Sequence, residues 1–157
     1  MVLRRRRVPV VELADPAGPP PGGPTAPSTL DRADAEGLRR WAGEQEGPAV
    51  VLVDDVATLP DGTADVLAAL ARPGGRLLPV VTGSIPELGT VHRGPVAALR
   101  RSRTALLLRP APGEPELLGL RVPRTPLPPR PGAGWLVSGG TATRVQVARH
   151  RTLPGGR

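Results

Sequence analysis

The sequence predicts an α/β fold built on a parallel sheet, and three observations carry that expectation. Residues 49–53, AVVLV, are apolar on both faces of the chain, as a strand at the centre of a parallel sheet requires. Strand-like and helix-like segments then alternate through residues 49–109, which implies parallel pairing through right-handed crossovers. Beyond residue 110 the alternation gives way to Pro-rich segments and a C-terminal β-hairpin pattern.

Taken in order, residues 1–15, MVLRRRRVPVVELAD, hold an arginine run followed by Val8, Val10, Val11 and Leu13. Those apolar positions suit a short strand, which Pro9 confines to a sheet edge or forbids. Residues 16–27, PAGPPPGGPTAP, are a linker, so residues 1–27 form a basic, Pro/Gly-rich N-terminal segment. Residues 28–46 suit a helix, capped at Ser28 or Asp31, with Leu30, Ala33, Leu38, Trp41 and Ala42 as a loose apolar stripe. Gly47-Pro48 stops it.

After the AVVLV strand, residues 63–72 suit a helix with Val66, Leu67 and Leu70 turned inward. RLLPVVT at 76–82 is a second buried strand, kinked or interrupted at Pro79. Residues 92–102 form another helix, and RTALLLR at 103–109 a third strand in the same series. Residues 135–138 and 143–148 alternate around Gly139-Gly140, a hairpin with a longer loop. Residues 28–149 are thus expected to form the ordered module, with 150–157 a flexible tail.

Composition narrows the possibilities. A length of 157 residues suits one domain. With no Phe, no Tyr and two Trp, the interior must be filled by Val, Leu and Ala. The 22 Pro and 20 Gly imply long irregular segments beside a modest core. The absence of Cys excludes disulfides and thiolate metal sites, and is compatible with an intracellular location. No apolar run approaches the roughly 20 residues of a membrane span. All 21 basic side chains are Arg, and the net charge of +7 suits an anionic partner.

The sharpest local signal is VVLVDD at 50–55. Acids at the carboxyl end of a buried strand face the crevice where α/β sheets bind ligands. Asp54 can hold Mg²⁺, usually through water, and Asp55 can polarise an attacking water, which is the Walker B arrangement. The same residues also suit a buried strand ending in a turn that an Asp caps. A phosphate-binding loop ending in Lys-Ser/Thr should accompany a Walker B strand, yet the sequence contains no Lys. PPGGP and RPGAGW lack that ending and do not sit between a strand and a helix. His92 and His150 lack metal-ligand spacing, Ser84 and Ser138 lack a nucleophile signature, and Trp41 and Trp135 suit packing.

Longer segments occur in a telling order: VVLVDDVATLPDG, GGRLLPVVTGSIPEL, RGPVAALRRSRTALLLRP, ELLGLRVP and PGAGWLVSGGTATRVQVA. Over about two thirds of the chain this resembles the C-terminal ATPase module of actinobacterial FtsK/SpoIIIE-domain proteins, which include relatives of EccC, the motor of type VII secretion. The resemblance implies a partial RecA-like P-loop NTPase core, a three-layer αβα arrangement. It implies that Asp54 is the Mg²⁺-associated acid and that Asp55 stands where active members carry Glu. Thr82 then occupies the position of a polar sensor residue, and Arg101 and Arg103 fall where basic residues precede a strand. The Walker A strand, loop and helix of the family lie well upstream of Walker B, and here 49 residues precede that strand. The expectation is a module truncated before Walker B that is not catalytic alone. It would take ATP and Mg²⁺ when assembled with a Walker A-bearing partner, a larger FtsK/SpoIIIE-like ATPase or a homo-oligomeric ring. The moved substrate would be DNA or secreted protein, in the cytoplasm or at the inner face of the membrane through a partner. Two other functions remain open, an active ATP-binding translocase subunit and a nucleic-acid-binding module using Arg4, Arg5, Arg6 and Arg7. The last predicts salt-dependent DNA binding that is lost when residues 1–7 are removed, measurable by a salt titration of the two chains.

Overall fold

The structure, a computed structural model, describes residues 8–15, 28–72 and 74–148. The linker 16–27, the arginine run at 4–7 and the tail 150–157 lie outside the described residues. The chain divides into two compact units between Ala98 and Leu99.

The first unit holds a four-stranded, wholly parallel sheet in the order β2-β1-β3-β4. The strands are β1 Val10–Ala14, β2 Ser28–Asp31, β3 Ala49–Val53 and β4 Leu77–Val81. Helices α1 Ala35–Gly43, α2 Asp61–Leu70, α3 Ile85–Thr90 and α4 Gly94–Ser102 intervene, the last running across the division between the units. Strand β3 is central, as its apolar run predicts. Its alternate residues Ala49, Val51 and Val53 are buried with Val11, Leu13 and Leu77 of its neighbours. Leu38 of α1, Val66 and Leu67 of α2 and Val96 of α4 complete that cluster, with Leu70 and Trp41 packed against it. The opposite face keeps Leu78 at 61% and Val80 at 47% exposure.

Three local expectations need correction. Residues 28–46 are not one helix. Ser28–Asp31 pairs in register with Val11–Ala14, and the Asp31 carboxylate accepts a hydrogen bond from the Ala33 N–H, turning the chain. The helix begins beyond Asp34, whose Oδ1 accepts from the Gly37 N–H at 2.7 Å, so Asp34 is the cap rather than Ser28 or Asp31. Strand β1 is interior, not an edge. Pro9 precedes it and costs no ladder bond, because only its carbonyl is used, accepting from the Val50 N–H at 2.9 Å. Nor does Pro79 interrupt β4. The Ala49 N–H donates to the Arg76 carbonyl and the Thr82 N–H to the Val53 carbonyl, so even-numbered residues face β3. Pro79 therefore turns its missing N–H toward the outer edge, where an edge strand tolerates proline.

The second unit is a separate antiparallel sheet in the order β5-β6-β7, formed by Ala105–Leu108, Ala133–Ser138 and Thr141–Gln146. A short helix, α5 Glu114–Leu117, lies in the connection between β5 and β6. Residues 103–109 were expected to continue the parallel series; instead β5 pairs antiparallel with β6. Its alternation explains this: Leu107 is buried while Leu106 and Leu108 are about half exposed, the pattern of a sheet with one solvated face. The hairpin is tighter than expected. Gly139 and Gly140 alone connect β6 and β7, both at positive φ (56° and 86°), as the two-residue turn that matches strand twist demands. At Gly134 a Cβ would lie 2.3 Å from the Leu107 carbonyl oxygen, so the β5–β6 pairing requires glycine there. Trp135 is buried with Val137 and Ala133, a packing residue as expected.

The protein is thus mixed α/β, with a parallel four-stranded sheet and a separate antiparallel sheet that ends in a hairpin, and no helix among the described residues is long and apolar enough to cross a membrane. Removing the fully buried Leu67 side chain (Leu67→Ala) is expected to cost about 3 kcal/mol, whereas Leu78→Ser on the open face should change stability by less than about 0.5 kcal/mol. Denaturant unfolding of the two variants measures both.

Candidate functional site

The order of the parallel strands reverses between β1 and β3, since β2 lies beyond β1 and β4 beyond β3. The carboxyl ends of strands flanking such a reversal form the crevice where α/β sheets place ligands. Asp54 and Asp55 follow β3 at that end. The pairing of Val53 with Val81 sets Thr82 alongside them. All three residues singled out from the sequence therefore come together.

Their contacts are specific. The Thr82 hydroxyl donates to the Asp54 carboxylate, and the same oxygen accepts from the Asp55 N–H at 3.1 Å. The Thr82 carbonyl accepts from the Val56 N–H at 2.9 Å. Asp55 adopts a left-handed conformation, φ 49°, and opens a 3-10 turn at Val56–Thr58. Asp is among the few residues that tolerate this region, so an acid suits the position on backbone grounds alone. The Asp54 side chain stands exposed and Asp55 is half-buried.

One residue of the site was not foreseen. Arg32, directly after β2, anchors through its N–H to the Ala14 carbonyl at 3.0 Å. Its guanidinium donates to the Asp55 carbonyl at 3.2 Å and to the Thr58 hydroxyl at 2.9 Å. Thr58 in turn bonds the Asp55 carbonyl at 3.0 Å. Arg32 thus ties the end of β2 to the loop after β3. Only the pairing of β2 beside β1 brings it there, and no sequence spacing signals that pairing.

The oxygen donors at this edge suit a hydrated Mg²⁺, which takes one or two carboxylates and completes its shell with water or phosphate. The sequence contains no lysine, and Nη2 of Arg32 is engaged by the loop's own carbonyl and hydroxyl, while among the described residues its buried Nε has no hydrogen-bond partner. No group of three or more His, Cys, Asp or Glu that could hold a metal occurs among the described residues. Of the other sequence candidates, Arg4, Arg5, Arg6 and Arg7 lie outside the described residues. Ser84 precedes α3 and its hydroxyl donates to the Glu87 carboxylate, a role at the helix start rather than in chemistry.

No protein-family model and no curated protein matches the chain. A solved structure is similar, the cytoplasmic domain of EssC, with a TM-score of 0.64 over 90% of this chain at 18% sequence identity. The chain spans 33% of that structure's length. At such identity the likeness shows the fold, and it agrees with the RecA-like core that the sequence predicts.

Loss of the two guanidinium bonds in Arg32→Ala should loosen the loop by about 1.5 kcal/mol, which is about tenfold faster amide exchange at residues 55–58. Hydrogen-exchange mass spectrometry reads this directly; unchanged protection would mean that Arg32 does not hold the loop.

Proposed function

We propose that the chain is an FtsK/SpoIIIE-type module of an EccC- or EssC-like translocating motor. It acts by contact with a larger ATPase and does not cleave nucleotide by itself. The observation that carries this is the mismatch at the carboxyl edge of the parallel sheet. In this reading Asp54, Asp55 and Thr82 take the parts of the acids and polar sensor of a nucleotide-handling edge, while the Arg32 guanidinium bonds the loop's own Asp55 carbonyl and the sequence has no lysine. The fold shared with the cytoplasmic domain of EssC supports the motor assignment.

In this reading ATP and Mg²⁺ are held only jointly with a partner that supplies the phosphate-binding loop, with Asp54 as the acid nearest the metal. What the chain itself contributes is the orientation of that carboxylate, fixed by the Thr82 hydroxyl. The sheet face that leaves Leu78 and Val80 exposed supports a role in assembly, because parallel sheets are ordinarily covered on both faces. The motor would be cytoplasmic, reaching the membrane through its partner, and would move a secreted polypeptide or DNA.

Mixed with the larger FtsK/SpoIIIE-like ATPase of the same genome, the chain should co-migrate in sedimentation at micromolar concentration. Phosphate release by the chain alone should equal the buffer control and be unchanged by Asp54→Ala. Independent migration removes the assembly role. Release above background that collapses in Asp54→Ala would make the chain an ATPase in its own right.

A further inference from the structure

Charge is segregated between the two units. Residues 99–157 hold eleven Arg against two Glu, whereas residues 1–98 hold ten Arg against twelve Asp and Glu. In the second unit several of those arginines gather around two adjoining hollows. One, of about 410 Å³, is bounded by Arg103, Arg121, Leu120 and Gly140. The other, of about 490 Å³, is bounded by Arg101, Arg103 and Leu117. Arg103 and Gly119 border both, so the hollows form one groove, and among the described residues no carboxylate lines either.

The backbone at Arg103 shows that its position is constrained. It follows α4 in a left-handed conformation, φ 49°, a region that ordinarily favours glycine at a helix end. Its N–H donates to the Arg100 carbonyl at 3.3 Å. Its side chain runs beside the β6–β7 turn: a Cβ on Gly140 would lie 3.9 Å from its Cδ and Nη1. Cations near a helix C-terminus are favoured by the helix dipole, which accounts for Arg101 and Arg103. It does not account for Arg121, which comes from the chain beyond α5. Nor does it account for Leu117, which stands 51% exposed in the same groove.

We propose that this groove binds an acidic stretch of another polypeptide that carries a leucine-sized apolar residue among its carboxylates. Guanidinium groups engage carboxylates in paired, charge-assisted hydrogen bonds, and Arg101, Arg103 and Arg121 are all exposed to offer them. Leu117 supplies the apolar contact. A phosphodiester backbone would use the arginines alone, and no aromatic side chain lines the groove to stack bases. The proposal does not rest on the assignment of Asp54 and Asp55, which belong to the other unit.

The test uses the full chain and fluorescence anisotropy at low salt with three labelled probes: a peptide alternating Glu and Leu, the same peptide with Ser for Leu, and a single-stranded oligonucleotide of equal charge. The Glu-Leu peptide should bind most tightly. Arg103→Glu with Arg121→Glu should weaken it at least about tenfold. Leu117→Ser should weaken it about threefold and leave the Ser peptide and the oligonucleotide unaffected. All three replaced side chains are exposed, so thermal melts should match the parent chain. The proposal falls if the oligonucleotide binds more tightly than the Glu-Leu peptide, or if peptide binding ignores the charge reversal. It falls equally if the chain self-associates through the same arginines, since carboxylates of a second copy would then fill the groove.

Discussion

Strand β3 is hydrogen-bonded on both sides, to β1 and to β4, and the first unit depends on that double pairing. AVVLV suits the position because a strand with neighbours on both flanks has its backbone polar groups paired, while Ala49, Val51 and Val53 are buried and Val50 and Leu52 are half-buried. The pairing also fixes a register, Val11 with Val51 with Pro79, that sends Ala49, Val51 and Val53 to the helical side. A slip of one residue would move that whole set to the opposite face. The same register brings Thr82 alongside Asp54. The core and the candidate site are therefore two results of one alignment.

The two faces of the sheet are nevertheless unequal, since Val50 and Leu52 on the second face are only half-buried. Leu13, Val51, Leu67 and their neighbours are buried, while Leu78 and Val80 of β4 stand exposed on the other side. Edge strands invite added strands from other chains, and β4 counters this with Pro79, whose nitrogen faces the outer edge without a proton to donate. A partner at β4 thus meets an interrupted ladder but an intact apolar surface. Association across the face, side chain against side chain, is favoured over extension of the sheet, and it is the mode of contact that an assembly role for this unit requires.

Much of this was legible in the sequence where local pattern and tertiary environment agree. AVVLV, the helix around Val66 and Leu67 and the hairpin around Gly139-Gly140 all follow from periodicity and turn chemistry. The failures share a cause. STLD at 28–31 has no strand signal of its own, and becomes β2 because β1 offers it a parallel partner. TALLLR looks like a buried parallel strand because three leucines run together, yet only Leu107 is buried, and the partner is β6. Both depend on which distant strand lies alongside, which composition does not encode. Arg32 was missed for the same reason: its importance comes from the placement of β2 beside β1. Asp54, Asp55 and Thr82 could be placed at one sheet edge because they closely follow strands that are themselves legible.

Arg32 changes how the acidic edge should be understood. At a nucleotide site a cation is kept free for phosphate and the acids are kept open to metal and water. Here the guanidinium closes on the Asp55 carbonyl and Thr58, the Thr82 hydroxyl caps Asp54, and Asp55 turns through a left-handed step. Each of these contacts satisfies a polar group from within the chain. The edge is consolidated as a loop, with one exposed carboxylate left for anything beyond it. Both of these Arg32 bonds come from Nη2, and among the described residues its buried Nε has no hydrogen-bond partner, so the guanidinium is anchored at one end and keeps donors to spare.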